Sequence, residues 1–147
     1  MLKGILAVLI VMLPYLSHGS VSSDERMVAG VIYAEARGES FKVKQYVATV
    51  IFERSGGIIT NFAKTCKLSR QFAPPQYGYN NKWREALAIA RSMYHKTFLP
   101  LTITIGKREF YPDHFYHGEE APFWARGKKH MQVGRIKFLY LGKYRTP

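Results

Sequence analysis

Between Met27 and Glu39 the chain reads Met-Val-Ala-Gly-Val-Ile-Tyr-Ala-Glu-Ala-Arg-Gly-Glu, and this stretch narrows the possible folds more than any other. Val28, Val31 and Ile32 recur at helical spacing and form one apolar stripe that has to be buried. Glu35 falls on that stripe, four residues after Val31 and seven after Val28. A carboxylate so placed is either paired or driven towards its protonated form by desolvation. Gly38 ends the helix just beyond the acid. Glu35 therefore stands at an element end, where a cleft can open beside it.

The flanking sequence extends this helix into a hairpin. Ser22 and Glu25 have capping-box spacing, which starts the first helix near Asp24 and carries it to about Arg37. A second helix begins near Ser40, turns Val43, Val47, Val50 and Ile51 inward, and ends near Arg54 before Ser55-Gly56-Gly57. The bend between the two displays Glu35 and Glu39. Asn61 to Leu68 suits a short helix. Gln71 to Asn80, with Pro74, Pro75 and Gly78, reads as loop. Asn81 caps a third long helix, through about Lys96, with Trp83, Leu87, Ala90 and Tyr94 on one stripe. Leu101 to Gly106 alternates as a short strand, and Ile136 to Tyr140 as a closing one. With 147 residues, one domain follows: an α+β fold, predominantly helical, with a small β element.

Charge and leader bound the setting. The net charge of +12 implies a polyanionic partner. Met1-Leu2-Lys3, an apolar run from Gly4 to Leu16 broken by Pro14, and small residues at Ser17, Gly19 and Ser20 have the layout of a secretory signal over residues 1–19. A retained leader would act as a membrane tether. Cleavage near Gly19 leaves a net charge of +11 on residues 20–147. Export makes the cell envelope the place of work and its anionic surface the partner of the basic residues, and argues against nucleic acid. Cys66 is the single cysteine, so no internal disulfide forms and an exported monomer must rest on its core. Cys66 is either a small buried hydrophobe or a catalytic thiol.

A second polar and aromatic patch runs from Phe110 to Trp124. His114 and His117, with Glu119, Glu120 or His130, could hold a metal, although no familiar zinc spacing is present. Glycosidic cleavage instead needs an acid such as Glu35, and in many enzymes a second carboxylate. Glu39 is the nearest in sequence, and Asp113 the best placed on the second patch. An ion pair of Glu39 with Arg37 or Arg54 is the structural alternative.

Taken together, Ala34-Glu35-Ala36-Arg37-Gly38-Glu39, Val47-Ala48-Thr49-Val50 with Arg54, Gln71-Phe72, Asp113-His114-Phe115-Tyr116, Pro122-x-Trp124 and Val133-Gly134 resemble the SleB-type cell-wall hydrolases. These include the catalytic domain of spore cortex-lytic enzymes and bacterial and phage relatives. The chain departs from that pattern at Val43, where a Gly is usual, at Glu53-Arg54, where Asn-Arg is usual, and at Ile136, where a His is usual. The resemblance implies a lysozyme-like fold and cleavage of the MurNAc–GlcNAc bond of peptidoglycan by Glu35 alone, without a cofactor or metal, most simply as a lytic transglycosylase. It further implies a substrate groove lined by Glu39, Gln71, Phe72, His114, Tyr116 and Trp124. The rival readings are an amidase or peptidase using His114 and His117 or Cys66, and a non-enzymatic cationic protein that binds wall or membrane.

Overall fold

The computed structural model describes residues 19–68 and 71–142. Apart from Gly19, the leader expected over residues 1–19 lies outside them. Among the described residues the chain forms four α-helices and two small antiparallel sheets, a mixed α+β architecture.

Helix α1 (Ser23–Ala36) opens on the capping box. Glu25 N–H donates to Ser22 Oγ at 3.1 Å, and Ser22 N–H donates to Glu25 Oε2 at 2.7 Å. Helix α2 (Phe41–Arg54) is capped by Ser40 and stops at Gly56 and Gly57, both with φ of 69°. After one 3₁₀ turn at Ile59–Asn61 comes the short α3 (Phe62–Lys67). Helix α4 (Asn81–Tyr94) is capped by Asn80 rather than Asn81: the Asn80 side chain accepts from Trp83 N–H at 2.9 Å, while Asn81 is already helical. It ends at Tyr94, short of Lys96, whose φ of 59° is left-handed.

Helix α1 is the hub, packed against α2, α3 and α4 with Val28, Val31 and Ile32 fully buried. The loop from Gln71 to Asn80 has no regular structure but is tied across this helix. Gln76 N–H donates to the Gly30 carbonyl at 3.0 Å, and the Asn80 side-chain amide donates to the Tyr33 hydroxyl at 3.1 Å. Gly30 makes the close approach possible, since a Cβ there would lie 2.8 Å from Pro75 Cβ. Helix α1 ends at Ala36, just before Gly38 as expected, although Gly38 itself has no left-handed φ. A Cβ at Gly38 would stand 2.6 Å from the Arg135 guanidinium, so this glycine clears space for an arginine from the sheet.

Strands β1 (Ile103–Ile105) and β2 (Arg108–Phe110) form a hairpin, and β3 (His114–His117), β4 (Met131–Val133) and β5 (Ile136–Leu139) form a sheet in the order β3-β5-β4. The strands foreseen at 101–106 and 136–140 are β1 and β5, whereas β2, β3 and β4 were not foreseen. Pairing of Phe115 with Phe138 and of His117 with Ile136 puts these residues on the sheet face that meets the helices. His114 and Tyr116 point the other way, under the 3₁₀ turn Phe123–Ala125.

Gly30→Ala should lower stability by about 1–2 kcal/mol. Overpacking against Pro75 outweighs the gain of about 1 kcal/mol in helix propensity. The check is the denaturation midpoint; a raised midpoint would show that the loop does not press on α1.

Candidate active site

Because α1 ends one residue after Glu35, the acid leaves the apolar stripe at the rim of the core. Its side chain is only 9% exposed. The carboxylate is held at both oxygens. Ala73 N–H, from the proline-bearing loop, donates to Oε1 at 2.5 Å, and His117 Nε2, from the end of β3, lies 3.0 Å from Oε2. Of the two outcomes that its position on the stripe allows, the structure realises pairing. His117 is 49% exposed, so the pair faces solvent on one side.

Two grooves meet at this pair, since Glu35 and His117 line both. The first encloses about 650 Å³ and is walled by Gln71, Phe72, Phe115, Tyr116 and Trp124, with Glu120 and Arg126 at its edge. Arg54 braces its floor by donating to the Gln71 side chain at 3.4 Å and lying 5.0 Å over the Phe72 ring. Trp124 stands edge-on to Tyr116 at 6.1 Å. The second groove, about 590 Å³, is bounded by Arg37 and Glu39 on the helix side and by Glu119, Gln132, Arg135 and Lys137 on the sheet side.

Of the residues expected to bind substrate, Gln71, Phe72, Tyr116 and Trp124 thus line the first groove and Glu39 the second. His114 lines neither. It is buried against Asp113, with Nδ1 2.8 Å from Oδ1, behind Trp124. Asp113, proposed as a second carboxylate, also accepts from Leu141 N–H at 2.8 Å and ties the end of β5 rather than facing a groove. Glu39 does form an ion pair, but with Arg135, 2.8 Å away, and not with Arg37 or Arg54. Gly134, with φ of 60° in the turn between β4 and β5, is needed here, because a Cβ would overlap the Glu39 carboxylate.

His114 and His117 point to opposite faces of β3, the expected result of an odd spacing on a strand, so they do not share a ligand position. Among the described residues no three His, Cys, Asp or Glu side chains converge as a metal site. Cys66 is buried, and burial pushes its thiol up to about 12, far from a nucleophilic thiolate at neutral pH.

The part played by His117 beside Glu35 went unforeseen. The available signal was its place two residues from Phe115, which puts both on one strand face. Lys44 was also missed. It is fully buried under the α1–α2 turn, donates to the Glu39 carbonyl at 2.6 Å and pairs with Glu85 at 3.0 Å. Comparison with protein-family models, curated proteins and solved structures finds no match to this chain.

Lys44→Met should cost about 3 kcal/mol, the lower end for breaking a buried ion pair, because Glu85 keeps Lys82 at 3.6 Å and partial exposure. Lys82→Met, at a solvent-exposed site, should cost less than about 1 kcal/mol. Urea unfolding of both variants tests this order, and equal effects would contradict it.

Proposed function

We propose that this protein degrades peptidoglycan by cleaving the MurNAc–GlcNAc glycosidic bond with Glu35 as its single acid and base, as a lytic transglycosylase. One observation carries the reading: a nearly buried carboxylate, on the stripe where the SleB-like motif puts it, stands where two grooves meet. A substrate that occupies both grooves crosses that carboxylate, which places the bond to be broken inside the substrate and not at its end. The Phe72, Tyr116 and Trp124 rings supply stacking faces for sugars, and Gln71 an amide for hydroxyls or acetamido groups. A helix that ends one residue past the acid, with a small sheet across the cleft, is consistent with a lysozyme-like fold.

The chemistry follows from the proton held by the Glu35–His117 pair. With one proton more than the carboxylate–neutral imidazole form, the pair is either imidazolium and carboxylate or neutral imidazole and carboxylic acid. These forms differ by transfer along the 3.0 Å contact. Glu35 in the acid form gives its proton to the glycosidic oxygen as the bond from the muramic C1 breaks and oxocarbenium character develops. The C6 hydroxyl of the same sugar then attacks C1, and its proton passes to the Glu35 carboxylate. The acid is restored and a 1,6-anhydro ring is left on the product. The site is in the exported part of the chain, and its excess of Lys and Arg favours an anionic envelope surface with salt-sensitive affinity.

Glu35→Gln keeps the shape and removes the proton. Lysis of purified wall should fall about a thousandfold. Near-normal lysis would overturn the reading in favour of a non-enzymatic cationic protein. Cys66→Ser should lyse as the parent does, and loss of lysis there would point to a peptidase. His117→Ala should lower the rate of lysis at least about tenfold, because it removes the group that exchanges a proton with Glu35 across the 3.0 Å contact. An unchanged rate would remove His117 from the proton's path.

A further inference from the structure

The two grooves that share Glu35 are chemically unlike, and so are the two sugars of the proposed substrate. The first groove is walled by the rings of Phe72, Phe115, Tyr116 and Trp124, with one charge of each sign, Glu120 and Arg126, at its edge. The second presents charges: Arg37, Arg135 and Lys137 against Glu39 and Glu119. Glu39 and Arg135 neutralise each other across 2.8 Å. Arg37 donates only a long 3.5 Å bond to the Gln76 side chain and lies 5.8 Å over the Tyr33 ring. Lys137 donates to the Gly118 carbonyl at 2.7 Å and lies 5.4 Å over the Tyr116 ring. Among the described residues neither cation forms an ion pair. Two cations without a carboxylate partner, and the Glu119 carboxylate, therefore line this half of the cleft.

A neutral N-acetylated sugar offers these groups no counter-charge. In a peptidoglycan strand only the muramic sugar carries a lactyl-linked stem peptide, with several carboxylates and, in its diamino acid, an ammonium group. We infer that the groove between the end of α1 and the turn joining β4 to β5 binds that stem peptide, with Arg37 and Lys137 on its carboxylates and Glu119 on its ammonium. The inference rests on the glycan-cleaving reading. It adds that the substrate is the peptide-bearing strand, and that the peptide fixes which of the two alternating glycosidic bonds lies against Glu35.

The test uses the Glu35→Gln protein, which should bind without cleaving, and two soluble glycan oligomers of the same length. One carries its stem peptides; the other has been stripped of them by an amidase. Titration calorimetry should show the peptide-bearing oligomer bound at least about tenfold more tightly. Adding Arg37→Gln and Lys137→Gln should cut that advantage below about threefold, whereas Arg37→Lys with Lys137→Arg, which keeps both charges, should preserve most of it. Circular dichroism confirms that each variant is folded. Equal affinity for the two oligomers would overturn the peptide assignment and leave glycan cleavage standing. A full advantage surviving the charge-removing pair would overturn the roles of Arg37 and Lys137. Failure to bind either oligomer would overturn the inference and the glycan-cleaving reading together.

Discussion

One carboxylate, gripped at each oxygen by a different part of the chain, sets the rest of the arrangement. Glu35 belongs to α1, Ala73 to the loop laid over that helix, and His117 to the last position of β3. Helix, loop and sheet are thus referred to a single group. Hydrogen bonds to an ionised carboxylate are stronger than neutral ones and are costly to lose where water is scarce. The same contacts aim the acid, because moving the loop or the strand would move its environment. Gly30 serves the same loop, since its lack of a side chain lets Pro75, two residues beyond Ala73, seat closely on the helix.

A second restraint works from below. The α1–α2 turn contains Glu39, whose carbonyl accepts from buried Lys44 and whose carboxylate pairs with Arg135. Burying a lysine is unfavourable unless a partner meets it, and Glu85 does so at 3.0 Å. The turn is therefore fixed from the core by one cation and from the sheet by another. A Cβ on Gly38 would press on the Arg135 guanidinium, and one on Gly134 would overlap the Glu39 carboxylate that the guanidinium meets. Glu39 builds the wall of the charged groove, and its carboxylate is occupied in doing so.

The helices were legible because their signals are local. Ser22 with Glu25, Ser40, and the glycine pair after Arg54 act within one turn of the chain, and the apolar stripe of α1 is periodic enough to reveal Glu35 as an exception. The cap of α4 was misplaced by one residue because Asn80 and Asn81 are both competent, and only the backbone decides between them. The strands were harder. β3 is four residues of histidine and aromatic rings, β2 and β4 are three residues each, and such short elements form through pairing across the sheet. The identity of the partners of Glu35 and Glu39 is a long-range fact: Ala73, His117 and Arg135 lie 38, 82 and 96 residues away. Lys44 left a faint trace, since with Val47, Ala48 and Ile51 it shares a buried helical face.

On the glycan-cleaving proposal, a Glu35 that is paired yet set between two grooves meets the two demands on a catalytic acid, a controlled proton and access to the substrate. On the same proposal the aromatic groove takes the faces of sugars and the charged groove takes what one of them carries. Mass spectrometry of purified peptidoglycan digested by the protein reads the outcome at the level of bonds. Glycan fragments ending in 1,6-anhydromuramic acid, with their stem peptides attached, are the expected products. Intact glycan strands with freed stem peptides would show that the bond broken is not between sugars, and that Glu35 is not the acid described here.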